Sequence, residues 1–152
     1  MKLLELAADL TWVRELGQND GPVVRAFQAI NRGKPPDPWC ADFVSFVLYV
    51  ATRGKPPFAL SGGCDELLAA ARKAGRERDR PVAPGLFFVM KTPTDAHHTG
   101  FIVSTENGEF STIEGNASDP TKPATNEGWG VFGRARVHKP GAYCYVSLED
   151  LT

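Results

Sequence analysis

The chain has 152 residues, enough for one domain with a real core, and 42% hydrophobic and 23% charged residues mark it as folded rather than disordered. A formal charge of -1 leaves no bulk basicity with which to hold nucleic acid or an anionic membrane. The three cysteines, Cys40, Cys64 and Cys144, are odd in number and not closely paired, which argues against a disulfide framework; the lack of a Cys-x-x-Cys pair argues against a zinc ribbon.

Helical signals fill the first half. Leu3, Leu6, Leu10 and Val13 recur at helical spacing, while Glu5 and Asp9 interrupt what would be the apolar stretch of a signal peptide. No run approaches the length of a membrane span. Gln18-Asn19-Asp20-Gly21-Pro22 breaks the chain, and a second helix is expected over Val23–Ile30. The stiff stretch Lys34-Pro35-Pro36-Asp37-Pro38 leads into a third over Trp39–Ala51, and a fourth is expected over Asp65–Ala74, with Gly75 as its C-terminal cap.

The second half reads as strands: Leu86–Met90, Thr99–Thr105, Phe110–Gly115, Arg134–Val137 and Tyr143–Ser147. Asn107-Gly108 is a strong hairpin signal. Helices followed by a mostly antiparallel sheet predict an α+β fold, and no domain boundary is visible across residues 1–152. The pentapeptide Arg-Gly-Lys-Pro-Pro occurs at Arg32–Pro36 and again at Arg53–Pro57; two copies flanking one helix do not make a repeat architecture.

The most informative tetrapeptide is Asp37-Pro38-Trp39-Cys40. Asp37 suits an N-cap and Pro38 the first helical position, which puts Cys40 in the first turn. Free amide N–H groups and the helix dipole there favour the thiolate, the nucleophilic form of the side chain. A lone cysteine is more often a small core residue. Cys64 also opens a helix, after Ser61-Gly62-Gly63, and is a rival for which a structural role is favoured; Cys144, in an apolar strand, reads as core.

A cysteine nucleophile needs a base and a group to orient that base. The histidines are His97, His98 and His138, and His138 reads as a surface residue. His97 and His98 precede Thr99-Gly100-Phe101-Ile102-Val103, and across the predicted hairpin lie Thr112-Ile113-Glu114-Gly115-Asn116. Glu114 and Asn116 are two apart, so they share a strand face, and either can accept a hydrogen bond from imidazole.

Pro38-Trp39-Cys40-Ala41-Asp42-Phe43-Val44-Ser45, then His98-Thr99-Gly100-Phe101-Ile102-Val103, then Thr112-Ile113-Glu114-Gly115-Asn116 together resemble the CHAP family of cysteine, histidine-dependent amidohydrolases/peptidases. The similarity takes in Arg14-Glu15 to Gly21-Pro22 and Pro84-Gly85-Leu86-Phe87-Phe88, and so runs from about Val13 to Val146. The resemblance implies a papain-like fold, a single catalytic domain and cleavage of amide bonds in peptidoglycan. It matches Cys40 to the nucleophile, His98 to the base, Glu114 to the orienting acid and Asn116 to a fourth site residue. His98 is matched rather than His97 because it directly precedes the Thr-Gly of the motif. Asp42 stands where the family often has a small residue. No Asp-x-Asp calcium loop is present, so neither metal nor other cofactor is expected.

The Cys40 backbone N–H is the expected oxyanion donor, and Trp39, Trp129 and Phe132 are candidates for lining the groove, although aromatic residues are more often core. The expected partner is a peptidoglycan substrate, reached after release from the cytoplasm or by non-classical export. A cysteine peptidase or transglutaminase-like enzyme acting on protein, and a non-catalytic cell-wall-binding module, are the alternatives.

The hairpin register bears on the site. A plain two-residue Asn107-Gly108 turn would put His98 and Glu114 on opposite sheet faces. A three-residue loop, Glu106-Asn107-Gly108, would pair Thr105 with Glu109 and bring His98 opposite Asn116 and diagonal to Glu114, leaving Phe101, Val103 and Ile113 on the core face. That loop is therefore predicted, with His97 turned away from the site.

Overall fold

A computed structural model describes residues 2–122 and 128–151. The described residues form four helices, α1 (Leu3–Asp9), α2 (Pro22–Ile30), α3 (Cys40–Ala51) and α4 (Cys64–Lys73), then six strands. These are β1 (Glu77–Arg78), β2 (Gly85–Thr92), β3 (Asp95–Glu106), β4 (Glu109–Ala117), β5 (Gly130–Val137) and β6 (Tyr143–Ser147). They make one open antiparallel sheet in the order β1-β6-β2-β3-β4-β5, so the fold is α+β, as its sequence pattern predicts. No described helix is long and apolar enough to cross a membrane.

The first helix ends at Asp9, short of the periodicity that suggested it; Val13 is instead extended, and its carbonyl accepts the Val131 N–H. The duplicated Arg-Gly-Lys-Pro-Pro has a physical reading here. Each copy begins two residues beyond a helix end, with its arginine at positive φ (62° at Arg32, 54° at Arg53). The following glycine N–H bonds back five residues, Gly33 to Gln28 and Gly54 to Tyr49. This is the Schellman stop, and the chain uses the same pentapeptide twice to end a helix and leave it in a proline-stiffened turn.

The helices cover one sheet face. Leu86, Phe88, Phe101, Ile113, Val131 and Val146 point into a core shared with Phe43, Val44, Val47, Leu67 and Leu68. The opposite face carries a smaller cluster of Phe87, Ile102, Phe110 and Tyr145. α3 is the central helix, apolar all round and buried at nearly every position of its first three turns. It comes close to β4: a Cβ on Gly115 would lie 2.5 Å from Cβ of Phe43, so only glycine permits this approach.

The predicted three-residue loop does not form. The turn is the two-residue Asn107-Gly108, with Glu106 paired to Glu109 and both turn residues at positive φ (50° and 80°). Those dihedrals match the right-handed twist of the strands, which is why the shorter turn wins. The register is recovered three residues later. Ser104 pairs with Ser111 but Ile102 with Thr112, so Val103 is an extra residue, a β-bulge. Beyond it Phe101 pairs with Ile113, the register the longer loop would have given.

Candidate active site

The nucleophile candidate sits differently from its predicted setting. α3 begins at Cys40 itself, with Trp39 as N-cap residue and no side-chain cap. Asp37 does not cap the helix, because its carboxylate turns back to accept the Lys34 N–H at 3.0 Å. Cys40 therefore occupies the first helical position, where its N–H has no intrahelical acceptor and the dipole is felt most strongly. The segment upstream braces this point. Trp39 is fully buried, stacks on Phe27 at 5.8 Å and donates its indole N–H to Glu15 at 2.8 Å. The buried Gln28 amide donates to the Asn19 and Asp37 carbonyls, each at 2.9 Å, tying two loops together behind the cysteine. Trp39 therefore offers no surface to a substrate; its predicted place in the groove is corrected to a core role. Trp129 packs edge-on against Phe132 at 4.8 Å, has the Arg14 guanidinium at 5.6 Å and the Lys122 ammonium at 5.5 Å from its ring centroid, and does not line the cleft described below.

His98 lies on β3, close enough for its imidazole to stabilise the Cys40 thiolate, as does the Thr99 backbone N–H. The other side of the imidazole is fixed: Nε2 is 2.7 Å from Glu114 Oε1. Nδ1 is thus the nitrogen left to exchange a proton with sulfur or substrate. Burial lowers the His98 pKa, but the Cys40 thiolate and Glu114 outweigh it and raise the net value to about 9. Cys40 moves the other way. A hydrogen bond from Cys64 and the charge and hydrogen bond of His98 overcome burial and hold its thiol well below the usual range. The geometry favours a thiolate–imidazolium pair.

Glu114 is completely buried. Burial alone would push its carboxyl up; Arg136 and then His98 more than reverse this and hold it at about 2. Arg136, on β5, grips both carboxylate oxygens, with Nε at 2.8 Å and Nη2 at 2.7 Å, and Thr112 donates its hydroxyl to the same group. The guanidinium also stacks 4.7 Å from the Phe87 ring. Gly100 makes room for this arrangement: a Cβ there would lie 2.8 Å from both Glu114 Cγ and Phe87 Cε1. Sequence reasoning missed Arg136. The β4–β5 connection is long and has no tight-hairpin dipeptide to fix a register, so nothing in the sequence sets which β5 residue faces Glu114.

Asn116 reaches the same cleft from a left-handed backbone (φ 52°) beside a second bulge, where Glu114 pairs with Phe132 but Ala117 with Gly130. Its Oδ1 is buried without a hydrogen-bond partner among the described residues. The cleft measures about 470 Å³ and is lined by His97, His98, Glu114, Asn116, Arg134 and Arg136 among others. His97 is not turned away as predicted. It is the extra residue of a third bulge, between Val89–His98 and Met90–Ala96, and lies exposed at the cleft mouth. Arg134 also lines the cleft without an ion-pair partner among the described residues.

Asp42 is buried, held at 2.8 Å by the Asn31 amide and packed against Gly62. Burial, opposed by that hydrogen bond and aided by the Cys40 charge, raises its pKa to about 6. Cys64, expected to have a structural role, places its sulfur 3.4 Å from that of Cys40. Cys144 is only partly buried and accepts a hydrogen bond from Arg72 at 3.2 Å. Among the described residues no group of three or more His, Cys, Asp or Glu is arranged to hold a metal ion. Compared with known proteins, the chain matches no family model, no curated protein and no solved structure.

Proposed function

We propose that this chain is a papain-like cysteine amidohydrolase that cleaves an amide bond of peptidoglycan. The observation that carries the reading is the line Cys40–His98–Glu114, with the sulfur at a helix N-terminus and the imidazole clamped at 2.7 Å to a buried carboxylate. The Cys40 thiolate attacks the carbonyl carbon, and the oxyanion is received by the Cys40 N–H. Imidazolium Nδ1–H of His98 gives its proton to the leaving amine as the C–N bond breaks. Water then adds to the thioester with His98 as base, which releases the carboxylic acid and regenerates the thiolate. Glu114 keeps the ring aligned throughout, and Arg136 keeps Glu114 charged and in place.

Charge supports the substrate class. Among the described residues of the site, Cys40 and Glu114 as anions balance His98 and Arg136 as cations, so Arg134 adds one positive charge. A guanidinium so placed suits a carboxylate, which peptidoglycan stem peptides carry close to their scissile amides. Purified cell walls treated with the protein should lose turbidity, and mass spectrometry of the fragments should give the bond cut. Cys40→Ala should abolish the loss while staying folded, and Arg134→Gln should raise KM more than it lowers kcat. Full activity in Cys40→Ala would overturn the mechanism. Cleavage of unrelated proteins with walls left intact would overturn the substrate.

A further inference from the structure

We propose that Cys40 and Cys64 form a redox-active dithiol, in which Cys64 converts an oxidised Cys40 into a reversible disulfide that switches the site off. The switching half rests on Cys40 being the nucleophile; the pairing itself does not.

The two sulfurs are 3.4 Å apart and both residues are buried. Each cysteine is the first residue of its own helix, α3 or α4, so two helix N-termini converge on one sulfur pair. A disulfide has S–S of about 2.0 Å, so closure asks the sulfurs to approach by about 1.4 Å. The α4 end that must give is preceded by Ser61-Gly62-Gly63, a stretch with little side-chain bulk. The charge states are already divided as the chemistry requires. Cys40 is held as thiolate, the form an oxidant attacks, and Cys64 stays a thiol, raised chiefly by its hydrogen bond to Cys40 and by burial. The third cysteine lies on β6 against Arg72 and has no place in the pair.

With a peroxide as oxidant the steps balance. The Cys40 thiolate attacks one peroxide oxygen; the O–O bond breaks, and the departing hydroxide takes a proton to leave as water. This gives a sulfenic acid with two electrons removed from sulfur. Cys64 sulfur then attacks Cys40 sulfur, the S–O bond breaks, and the second oxygen leaves as water with the Cys64 proton. Two thiols and one hydrogen peroxide become a disulfide and two waters. A small dithiol reverses the linkage by exchange. Without Cys64 the sulfenic acid would persist and take up a second oxygen, a dead end for the thiol.

The test uses full-length protein carrying Cys144→Ser, treated with hydrogen peroxide, then alkylated with iodoacetamide under denaturing conditions and weighed intact. The expected product has lost two hydrogens, takes no alkyl group and yields a linked Cys40–Cys64 peptide on digestion. Dithiothreitol should return both thiols and bring wall hydrolysis back to within about twofold of the start. Cys64→Ser, and independently Cys64→Ala, should gain oxygen at Cys40 and recover less than about a tenth of their own untreated rate. The inference fails if the parent gains oxygen without linking, or if it recovers no better than the Cys64 variants. A linked protein that still hydrolyses walls at full rate upholds the pair but removes Cys40 as the nucleophile, so the two readings fail by different results.

Discussion

Replacing Arg136 by methionine keeps the unbranched stem over Phe87 but removes the charge that faces Glu114. Two charge-assisted hydrogen bonds, at 2.8 and 2.7 Å, disappear, and a carboxylate with no solvent exposure is left with His98 and Thr112 alone. Glu114 is shifted from its ordinary 4.5 to about 2, which corresponds to about 3 kcal/mol of native-state stabilisation. The cost of breaking a buried ion pair from one side is of the same size, about 3–5 kcal/mol. For a chain of this length a loss of about 3 kcal/mol is a fall in melting temperature of roughly 6–12 °C. The sign can be checked with pH. A carboxyl whose folded pKa is depressed contributes its stability above its unfolded pKa and loses it as pH falls toward the folded value. The gap between wild type and Arg136→Met should therefore be full at pH 7 and close as pH drops from about 4.5 toward about 2. Urea unfolding at a series of pH values measures it. A loss below about 1 kcal/mol at neutral pH, or one that does not shrink between about pH 6 and about pH 3, would refute the argument that Arg136 acts by compensating Glu114.

Wall hydrolysis should follow a bell in pH: the acid limb reports Cys40 and lies well below a free thiol's value of about 8.5, and the alkaline limb lies near 9 as the His98 imidazolium is lost. Iodoacetamide alkylation of Cys40 should share the acid inflection; an inflection at the free-thiol value would count against an activated pair. Asp42→Asn should stabilise the protein at pH 8 by up to about 3 kcal/mol, because a carboxyl raised from 3.8 to about 6 loses its contribution as pH rises through 6; near pH 4 the gain should vanish, and a gain that is equal at both pH values would contradict a charge effect. Gly100→Ala should lower kcat far more than it raises KM, since the added methyl displaces Glu114 or Phe87 rather than anything at the cleft mouth; unchanged kinetics in a folded variant would mean that the carboxylate position is not critical.

The parts of the site that local sequence chemistry controls were legible. The helix-start cysteine, the His98 strand and the Glu114–Asn116 pair all depend on residue type and spacing within one element, and the structure joins His98 to Glu114 at 2.7 Å and starts α3 at Cys40. What was not legible depends on distant surroundings. Trp39 stays a groove candidate beside the commoner core reading until Phe27 and Glu15 are seen to enclose it. Asp37 is a good cap by type, yet a competing backbone donor three residues earlier takes its carboxylate. Arg136 and Cys64 reach the site through a strand pairing and a helix packing with no local signal at all. Asp42 reads in the sequence only as a departure from a small residue; its burial against Gly62 and Asn31 raises its pKa to about 6.

The bulge at Val103 has a cause that can be read from turn and core together. A strand pair takes its register from its turn and its hydrophobic alternation, and both are satisfied by the tight Asn107-Gly108 hairpin and by Phe101 and Ile113 facing the helices. Those two constraints are out of phase by one residue between Ser104 and Ile102, and the extra Val103 absorbs the difference. Without that phase shift His98 and Glu114 would fall on opposite faces. At the other end of β3 the extra His97 lets Val89 keep its pairing with His98, and on β4 the bulge after Glu114 turns Asn116 into the cleft. Core and turn thus fix where the strands lie, while the bulges set which side chains meet, and the predicted contact between His98 and Glu114 survives a turn that would otherwise have forbidden it.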